Sequence, residues 1–357
     1  MTAAYRVKFA DALTDAPRDE FSLAGVGLEA RIGTAGAGSG HIPIARGDMR
    51  TGARIAAVRA SGASAMYVYR NGVPWWGGLL WGKVLTSDER GNPAVALSAA
   101  TFESYPDRVQ LQTDLPAMTG VDQLAIARSL IDHMQADPAA NMRITYDASV
   151  MSMVTRDRVL YTAASRPSYL KMLTDLATLD NGFEFTIQVL TDPTTGTRIR
   201  RLRLGYPTLS TGATHRISKP GAILTYSFPE DGTRAATSLM ATGSGVNSTV
   251  HTNAAALAAG YPRLDATTSY GSIADATVLE THAAADLALA APPVSVPAVR
   301  VRLDSTDLTP QSLGDSVRIS IQDELFPSGI TATYRLVGMT IAPPERGKPE
   351  TCDLILN

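Results

Sequence analysis

The 357-residue chain has little cysteine, few aromatic residues and little charge, and each shortage excludes a class of protein. The single cysteine, Cys352, rules out an intrachain disulfide and a zinc site built from cysteines. Charged residues make up only 18% of the chain and the formal net charge is −2. No basic field therefore attracts nucleic acid or an anionic membrane. The composition is globular, with 45% hydrophobic residues, and the length predicts two to four modules.

Long hydrophobic runs are also missing. The most apolar region, 73–85, is interrupted by Pro74, three glycines and Lys83, so no segment has the length of a membrane span. The first residues lack the basic stretch and apolar core of a signal peptide. The lack of disulfides favours folding in a reducing cytosol. We expect a soluble, uncleaved protein with no membrane anchor.

Residues 1–118 predict an N-terminal antiparallel β-barrel. "YRVKFAD" and "FSLAGVGLEARIG" alternate apolar and polar positions, as half-buried strands do. Asn71-Gly72 is a strong hairpin signal, because both central residues of a type I′ turn need positive φ. A second turn at "DERGNP" leads to a further strand. The order of these elements is an antiparallel meander.

Residues 119–206 predict an α+β insertion domain. Thr119 and Asp122 open a first helix in capping-box spacing. A second helix has Ser165 as its expected cap and Asn181-Gly182 as its stop. A hairpin follows, from "FEFTIQVL" to "RIRRLRLGYP". The apolar faces of the two helices are predicted to contain Leu124, Ala127, Leu130, Ile131, Met134, Tyr169, Met172, Leu173, Leu176 and Leu179.

Residues 207–357 predict strands, one helix and a C-terminal β-barrel. The helix covers about 273–290 and ends at Pro292-Pro293. Four strands with turn signals between them follow it. The predicted fold class is therefore mainly β with an α+β insertion: two antiparallel β-barrel modules and a mixed α/β domain.

The sequence contains no pattern of histidines typical of a metal site. None of the five has a second histidine three to five residues away, and H-E-x-x-H is absent. A site assembled from distant histidines stays open as the less favoured alternative. The five are His41, His133, His215, His251 and His282.

Three short segments match known motifs only in part. "GTAGAGSGH" (33–41) has neither the third glycine of G-x-G-x-x-G nor a following Lys-Ser/Thr, which predicts a flexible or partner-ordered loop. "ATGSGVNS" (241–248) lacks the G-x-S-x-G spacing of a nucleophile elbow. "RGD" at 46–48 is a three-residue match and carries little weight. None of these segments predicts a phosphate site or a nucleophile.

Acidic and basic residues give no stronger signal for catalysis. The "RIRRLRL" run (198–204) predicts one solvated face of a sheet, and Cys352 predicts a packed thiol. Paired carboxylates could support glycan hydrolysis, but the acids are scattered through turns. We therefore assign no catalytic residue, no cofactor and no metal ligand, and expect a protein that is not an enzyme. The turn acids are Asp88-Glu89, Asp180, Asp192, Glu230-Asp231 and Asp323-Glu324.

All three tryptophans lie within "VPWWGGLLWGKV", and two interpretations of them differ in function. An exposed cluster of Trp75, Trp76 and Trp81 would be a platform for sugars. In a regular strand, however, Trp75 and Trp81 share one side and Trp76 points to the other. A bulge at Gly77-Gly78 could reset this alternation. We favour a buried, curved hairpin and expect Trp75 and Trp81 in the core.

The order of segments resembles minor tail proteins of long-tailed (siphovirus) phages that infect actinobacteria, and within them the tail-tip or baseplate hub, also called the tail-associated protein. The resemblance lies in "YRNGVPWWGGLLWGKV", "RPSYLKMLTDLATLDNGFEFTI" and "LGDSVRISI…YRLVGMTIA". In such hubs a G-x-x-W-x-G strand follows a hairpin turn, matched here by Gly72–Gly77. A helix stop and a GD-x-V strand correspond to Leu179–Gly182 and Gly314–Val317.

This resemblance implies two tail-tube-like β-barrels per subunit and a homotrimeric ring. Such a hub joins the tail tube to the distal tip and lines the DNA exit channel. Its implied partners are further copies of the chain, the distal tail protein, the tape-measure protein and other tail-tip proteins, with no small-molecule substrate and no stable binding of nucleic acid. Its implied location is the tail tip of the virion, after assembly in the cytoplasm of the host bacterium.

Three alternatives stay open at this point. The distal tail protein of the same baseplate shares the scaffold and predicts a hexamer. A module that binds host cell-wall carbohydrate would use the tryptophans directly. A cell-wall hydrolase is the least favoured alternative, because no carboxylate pair is singled out by the sequence.

Overall fold

The fold has two compact units. The first combines Met1–Thr225 with Val299–Asn357, and the second is Tyr226–Ala298. The boundaries predicted after residues 118 and 206 stay a prediction. The computed structural model describes residues 3–58, 60–158, 160–229, 232–244, 248–271, 273, 275–290, 297–345 and 347–357.

The N-terminal part is mostly β-structure with one helix that the sequence did not indicate. Helix α1 (Met49–Ala57) starts at Asp48, whose carboxylate accepts a hydrogen bond from the Thr51 amide at 3.0 Å. Asp48 of the "RGD" triplet is therefore a helix cap. The strands are β1 (Tyr5–Asp11), β2 (Pro17–Phe21), β3 (Ala24–Arg31), β4 (Ala37–Pro43), β5 (Ser64–Arg70), β6 (Val73–Ser87) and β7 (Pro93–Thr101).

The glycine-rich segment 33–41 is not the loop that its composition predicted. Most of it belongs to β4, which pairs with β3 on one side and β7 on the other. Its residues alternate between exposed and buried. Small residues are needed because neighbouring groups approach the backbone closely here. A Cβ on Gly36 would lie 2.1 Å from the Glu29 carbonyl oxygen.

The middle of the chain contains the predicted helices and hairpin. The helices are α2 (Gln123–Gln135) and α3 (Tyr169–Ala177). Strands β11 (Glu184–Thr191) and β12 (Arg198–Gly205) form the predicted hairpin, and β12 also pairs in parallel with β9 (Ile144–Tyr146). The strands of this part are β8 (Met118–Asp122), β9 (Ile144–Tyr146), β10 (Thr155–Arg158), β11 (Glu184–Thr191) and β12 (Arg198–Gly205).

The caps of both helices differ from those predicted. Asp122 alone caps α2, and Thr119 lies in β8. Ser168, not Ser165, caps α3 and accepts from the Lys171 amide at 3.2 Å. The predicted apolar faces are buried except at Leu179, which lies beyond the end of α3 and is exposed.

The last part of the chain begins and ends in the first unit, and its middle forms the second. The helices are α4 (Ala254–Ala258), which the sequence did not indicate, and α5 (Ala276–Leu289), which falls within the predicted 273–290. The predicted stop at Pro292-Pro293 lies outside the described residues. The strands are β13 (Thr214–Lys219), β14 (Ile223–Ser227), β15 (Ser238–Thr242), β16 (Ser248–Thr252), β17 (Asp265–Ser269), β18 (Ala298–Arg302), β19 (Ser316–Ile321), β20 (Ile330–Ala342) and β21 (Thr351–Leu356).

The second unit is a three-stranded sheet covered by α5. Strand β15 is central, antiparallel to β16 and parallel to β17. This unit has its own small core, formed by Ala236, Leu239, Ala241, Leu279, Ala283 and Leu287.

One long sheet runs through the first unit and joins its N-terminal and C-terminal strands. Its order is β14-β18-β21-β20-β3-β4-β7-β6-β5-β1-β2, and β19 and β13 branch from β20. The path is open, and no closed barrel forms among the described strands. The mainly β class agrees with the prediction, whereas the two predicted barrels are not confirmed by this sheet.

Strand β20 explains why the two halves share a sheet. Its first half pairs with β19, and its second half pairs with β21 and β3. The change of partner coincides with a register irregularity between Leu336 and Gly338. A Cβ on Gly338 would approach Ile355 to 2.9 Å and Arg31 to 3.1 Å, so a glycine suits this crowded point.

The main core of the first unit spans the N-terminal strands and the α+β part. Tyr67 and Leu79 of the N-terminal strands belong to the same buried cluster as Leu130 of α2 and Leu173 of α3. Phe102, which follows β7, is also fully buried in this cluster. Strands β6 and β11 contact each other across it.

Candidate functional site

Strand β6 contains the three tryptophans and has two bulges. Val68 of β5 faces Trp76 and Tyr69 faces Pro74, so Trp75 is the extra residue. On the other edge, the pairing with β7 skips Trp81 in the same way. Each bulge bends the strand and changes the direction of the side chain that it holds. The bulge predicted at Gly77-Gly78 is not found, because both glycines pair in register with β5.

The two glycines instead permit close approach of neighbouring groups. A Cβ on Gly77 would lie 2.3 Å from Val189 of β11, and one on Gly78 would lie 2.0 Å from the Ala100 carbonyl oxygen. Glycine is therefore required at both positions for β6 to fit between β7 and β11.

Trp76 is the core tryptophan. Its exposed fraction is 3%, and its indole N–H donates to the Glu29 carbonyl oxygen at 2.8 Å. The ring lies over Gly38 of β4, where a Cβ would come within 2.4 Å of it. The glycine-rich strand thus provides the space that this indole occupies.

Trp75 and Trp81 are only partly buried, which corrects the expectation that these two would form the core. The Arg70 guanidinium lies 4.4 Å from the ring centroid of Trp75. The Trp81 indole N–H donates to Ser104 at 2.9 Å, and Arg108 lies 5.7 Å from its ring. The three indoles therefore do not form one exposed platform.

A cavity of about 120 Å³ lies beside β6, between this strand, β11 and the turn at 309–311. Glu103 and Trp76 are almost fully buried and lie at its inner end. Val73 and Gln311 are exposed and lie at its mouth. The remaining lining residues include Arg31, Pro74, Trp75, Gly77, Thr101, Thr186, Gln188, Val189 and Pro310.

Glu103 is the most unusual group in this cavity. Its exposed fraction is 1%. One carboxylate oxygen, Oε1, accepts from the Thr186 hydroxyl at 2.8 Å and from the Ile187 amide at 2.5 Å. The other, Oε2, has no hydrogen-bond partner among the described residues. Burial raises the pKa of this carboxyl above its usual value, although hydrogen bonds to Thr101, Ile187 and Thr186 act against this.

The "RIRRLRL" run is not the solvated face that its alternation predicted. Arg200 is 3% exposed, and its guanidinium donates to the Tyr67 hydroxyl at 2.8 Å and to Asp15 at 3.1 Å. Arg198 also donates to Asp15, at 2.7 Å, and lies 3.7 Å from the Tyr67 ring centroid. This run therefore ties β12 to the N-terminal strands through a buried ionic network.

The five histidines do not come together. His215 has the most polar surroundings, with Asp307 at 2.9 Å and Asp315 at 3.2 Å. His133 contacts the Tyr169 hydroxyl at 2.7 Å, and burial lowers the pKa of its imidazole, as does the nearby Arg158. No group of three or more possible metal ligands occurs among the described residues. His41 lies beside Gly25, His251 beside Glu280 and His282 beside Tyr270.

The cysteine and the turn acids considered in the sequence analysis make contacts that are typical of structural residues. Burial raises the pKa of the Cys352 thiol to about 12, and the thiol is free. Asp88 and Asp192 accept from backbone amides of their own turns, at 2.8 Å each. Glu230-Asp231 and residues 245–247 of the 241–248 segment lie outside the described residues. Within the described helices, none is both long and apolar enough to cross a membrane.

Glu103 and Asp15 are the residues that sequence reasoning missed. Glu103 lies in a short 3-10 turn, Phe102–Ser104, directly after β7. Asp15 lies in a turn after β1 and has a positive φ of 59°. Nothing in either local sequence signals burial, because the groups that surround each carboxylate come from distant parts of the chain.

The fold is similar to solved tail proteins, two of them from prophages. The tail protein from Neisseria meningitidis MC58 has a TM-score of 0.59 at 14% identity, over 99% of this chain and 96% of its own. The 43 kDa tail protein of prophage MuSo2 from Shewanella oneidensis has a TM-score of 0.61 at 9% identity, over 99% and 98%. The prophage tail protein gp18 from Listeria monocytogenes EGD-e has a TM-score of 0.50 at 12% identity, over 98% and 94%.

These likenesses establish the fold, and they confirm the predicted mainly β class with its α+β part. No protein-family model and no curated protein matches the sequence.

Proposed function

We propose that this protein is a structural component of a phage tail, and within it the hub of the tail tip. The observation that carries the proposal is the similarity of fold to two phage tail proteins over nearly the full length of each chain. In this role it forms a homotrimeric ring, joins the tail tube to the distal tip and lines the DNA exit channel. Its function is assembly, without catalysis.

Two surface features support a role in assembly. The long sheet ends at β2, whose outer edge has no partner strand among the described residues. Such an edge is a ready site for pairing with another chain. The far end of β6 exposes Val84 and Leu85, with exposed fractions of 57% and 63%. Because successive side chains of a strand point to opposite faces, each face at this end of β6 exposes an apolar side chain.

The proposed partners are tail proteins. They include further copies of this chain, the distal tail protein, the tape-measure protein and other proteins of the tip. The proposed host range is actinobacteria and the proposed virion is long-tailed, as in the phages whose hub sequences this chain resembles. The protein is assembled in the host cytoplasm and ends at the tail tip.

Native mass spectrometry of the purified protein tests the ring. A trimer of 37.8 kDa chains is expected. A hexamer would instead favour the distal tail protein, which shares the scaffold. Immunogold labelling of virions tests the location independently, and label is expected at the distal end of the tail. A stable monomer that is absent from virions would refute the proposal.

The carbohydrate-binding alternative is less well supported. Trp76 is buried, and an arginine lies close to the ring of each of the other two tryptophans, so the indoles offer no common stacking surface. Titration with host cell-wall polysaccharide, followed by tryptophan fluorescence, is expected to give no response. A saturable response would favour the glycan-binding function instead.

A further inference from the structure

The cavity beside β6 has a polar end that nothing in the described protein satisfies. Among the residues that line it, Glu103 Oε2 is the buried side-chain atom without a hydrogen-bond partner. A buried carboxylate oxygen without a partner is costly, because it has lost water and gained nothing in exchange. The cavity therefore has one strong site for a hydrogen-bond donor, and this site lies at its inner end.

Three other polar groups of the lining are already engaged. The Gln188 side chain donates to the Pro310 carbonyl oxygen at 2.7 Å and accepts from Arg203 at 2.9 Å. The Thr101 hydroxyl accepts from the Gly36 amide at 2.9 Å. Arg31 at the mouth forms an ion pair with Glu29. Gln188 and Arg31 therefore do not compete with an incoming ligand for Glu103 Oε2, whereas Thr101 also hydrogen-bonds the Glu103 carboxyl.

The shape and charge of the cavity identify the donor. Val189, Pro310 and Trp75 contribute apolar surface to the lining of the cavity. Glu103 Oε1 already accepts two hydrogen bonds, so the carboxylate cannot receive both arms of a guanidinium. An ammonium is a compact charge on a flexible apolar stem, and one of its three N–H groups can donate to the free oxygen.

We propose that this cavity is a socket for a lysine side chain presented by a partner polypeptide. The four-carbon stem lies against the apolar walls, and the ammonium donates to Glu103 Oε2. Burial disfavours the ionised form of Glu103, and an ammonium from outside the chain favours it by pairing a positive charge with the carboxylate. It does not depend on the hub assignment, since it needs only a partner protein with an accessible lysine.

The test uses short peptides and the full chain labelled with 5-fluorotryptophan. The three tryptophans give three fluorine signals, and Trp75 and Trp76 line the cavity. The probe is acetyl-Gly-Lys-Gly-amide at pH 8. Its matched control contains norleucine, which keeps the alkyl stem and lacks the ammonium. A saturable shift with a dissociation constant on the order of 1 mM is expected for the lysine peptide alone.

Two variants separate the socket from a general attraction to acidic surface. Glu103→Gln keeps the size of the side chain and its acceptor for Thr186, and it is expected to weaken binding at least tenfold. Glu89→Gln changes an exposed turn acid and is expected to leave binding unchanged. The proposal is overturned by an absent or non-saturable shift, or by unchanged binding in Glu103→Gln. It is also overturned if the norleucine peptide, or a peptide with arginine in place of lysine, binds as well as the lysine peptide. A shift produced only by N-acetylglucosamine would overturn it in favour of a glycan.

Discussion

Trp76 is the buried tryptophan of the central strands, and its position could not be chosen from the alternation of the sequence. Its indole is buried over Gly38 and donates to the Glu29 carbonyl oxygen. Trp75, one position away, is the extra residue of a bulge and is only half-buried. Adjacent residues of one type therefore have different structural roles.

Replacing Trp76 by alanine is expected to lower the free energy of unfolding of the first unit by about 3–5 kcal/mol, because it opens a large cavity in the core. Urea unfolding followed by circular dichroism measures the change. Trp75→Ala is the matched control and is expected to cost clearly less. Equal losses in the two variants would contradict the assignment of Trp76 as the core residue.

The ionisation of Glu103 gives a prediction about pH. Burial raises the pKa of this carboxyl in the folded state. The contribution of Glu103 to the free energy of unfolding is therefore fully present below the usual glutamate pKa of about 4.3, and it is lost as the pH rises through the higher folded pKa. Glutamine does not titrate, so Glu103→Gln removes this loss of stability at high pH. The variant is therefore expected to be more stable than the natural protein at pH 8, with a difference that shrinks towards pH 4.

Thermal unfolding between pH 4 and 8 measures this difference. Each unit by which the pKa is raised corresponds to about 1.4 kcal/mol. Glu89→Gln, at an exposed turn, is expected to follow the natural protein at every pH. A constant offset between Glu103→Gln and the natural protein would show that Glu103 does not titrate in this range.

At the scale of elements, α2 shows how a cap also holds a distant loop. Asp122 Oδ1 accepts from the Leu124 amide at 2.9 Å, which caps the helix. Asp122 Oδ2 accepts from the Ser152 amide and hydroxyl and from the Met153 amide, all within 2.9 Å. Burial acts to raise the pKa of this carboxyl, but these hydrogen bonds outweigh it, and the pKa lies below the usual value.

Asp122→Asn is expected to cost about 1–2 kcal/mol at pH 7, since an amide cannot accept all four hydrogen bonds. The contribution of the carboxylate is present above its unfolded pKa, near 3.9, and is lost as the pH falls through the lower folded value. The cost should therefore shrink below pH 4 when unfolding is followed by circular dichroism. Asp48→Asn changes a cap with one side-chain hydrogen bond and should cost less. An equal cost of the two variants at pH 7 would indicate that the contacts of Asp122 with Ser152 and Met153 contribute nothing.

At the scale of the whole molecule, Asp15 joins the N-terminal strands to the α+β part. It is the counter-charge of Arg198 and Arg200, whose side chains are 15% and 3% exposed. Removing one partner of a buried ionic network leaves charge without compensation. Burial also raises the pKa of the Tyr67 hydroxyl, which donates to Asp15 at 2.7 Å and stays protonated.

Asp15→Asn is expected to destabilise the first unit by about 3–5 kcal/mol. Urea unfolding followed by tryptophan fluorescence is suitable, because all three tryptophans lie in this unit. Asp175→Asn breaks the exposed pair with Lys171 and is expected to cost no more than about 0.5 kcal/mol. A loss of that small size in Asp15→Asn would show that the network does not hold the two parts together.

The chain segment of the second unit lies, in sequence, between β14 and β18 of the long sheet. Arg302, at the end of β18, donates its amide to Ala222, just before β14, at 2.8 Å. The two neighbouring strands therefore run in opposite directions, and the chain leaves and returns at adjacent points. Replacing residues 229–296 by a short Gly/Ser linker is expected to leave the first unit folded. A lost cooperative melt or aggregation of the shortened chain would contradict this.

Local signals in the sequence predicted the elements that need only near neighbours. Asn71 and Gly72 both have positive φ, at 50° and 84°, as the hairpin signal required. Both helices of the middle part and the β11–β12 hairpin were also predicted correctly. In each case the turn or apolar period lies within about 20 residues, so the sequence by itself determined these elements and the mainly β class.

Tertiary structure decided which elements meet. The pairing of β3 with β20 joins residues about 310 positions apart, and it links the N-terminal and C-terminal strands in one sheet. Arg200 is buried because Tyr67 and Asp15 converge on it, and Glu103 because β11 covers it. A polar side chain is tolerated in a core only when its partners are in place, and those partners come from distant segments, so the local sequence carried no sign of either site.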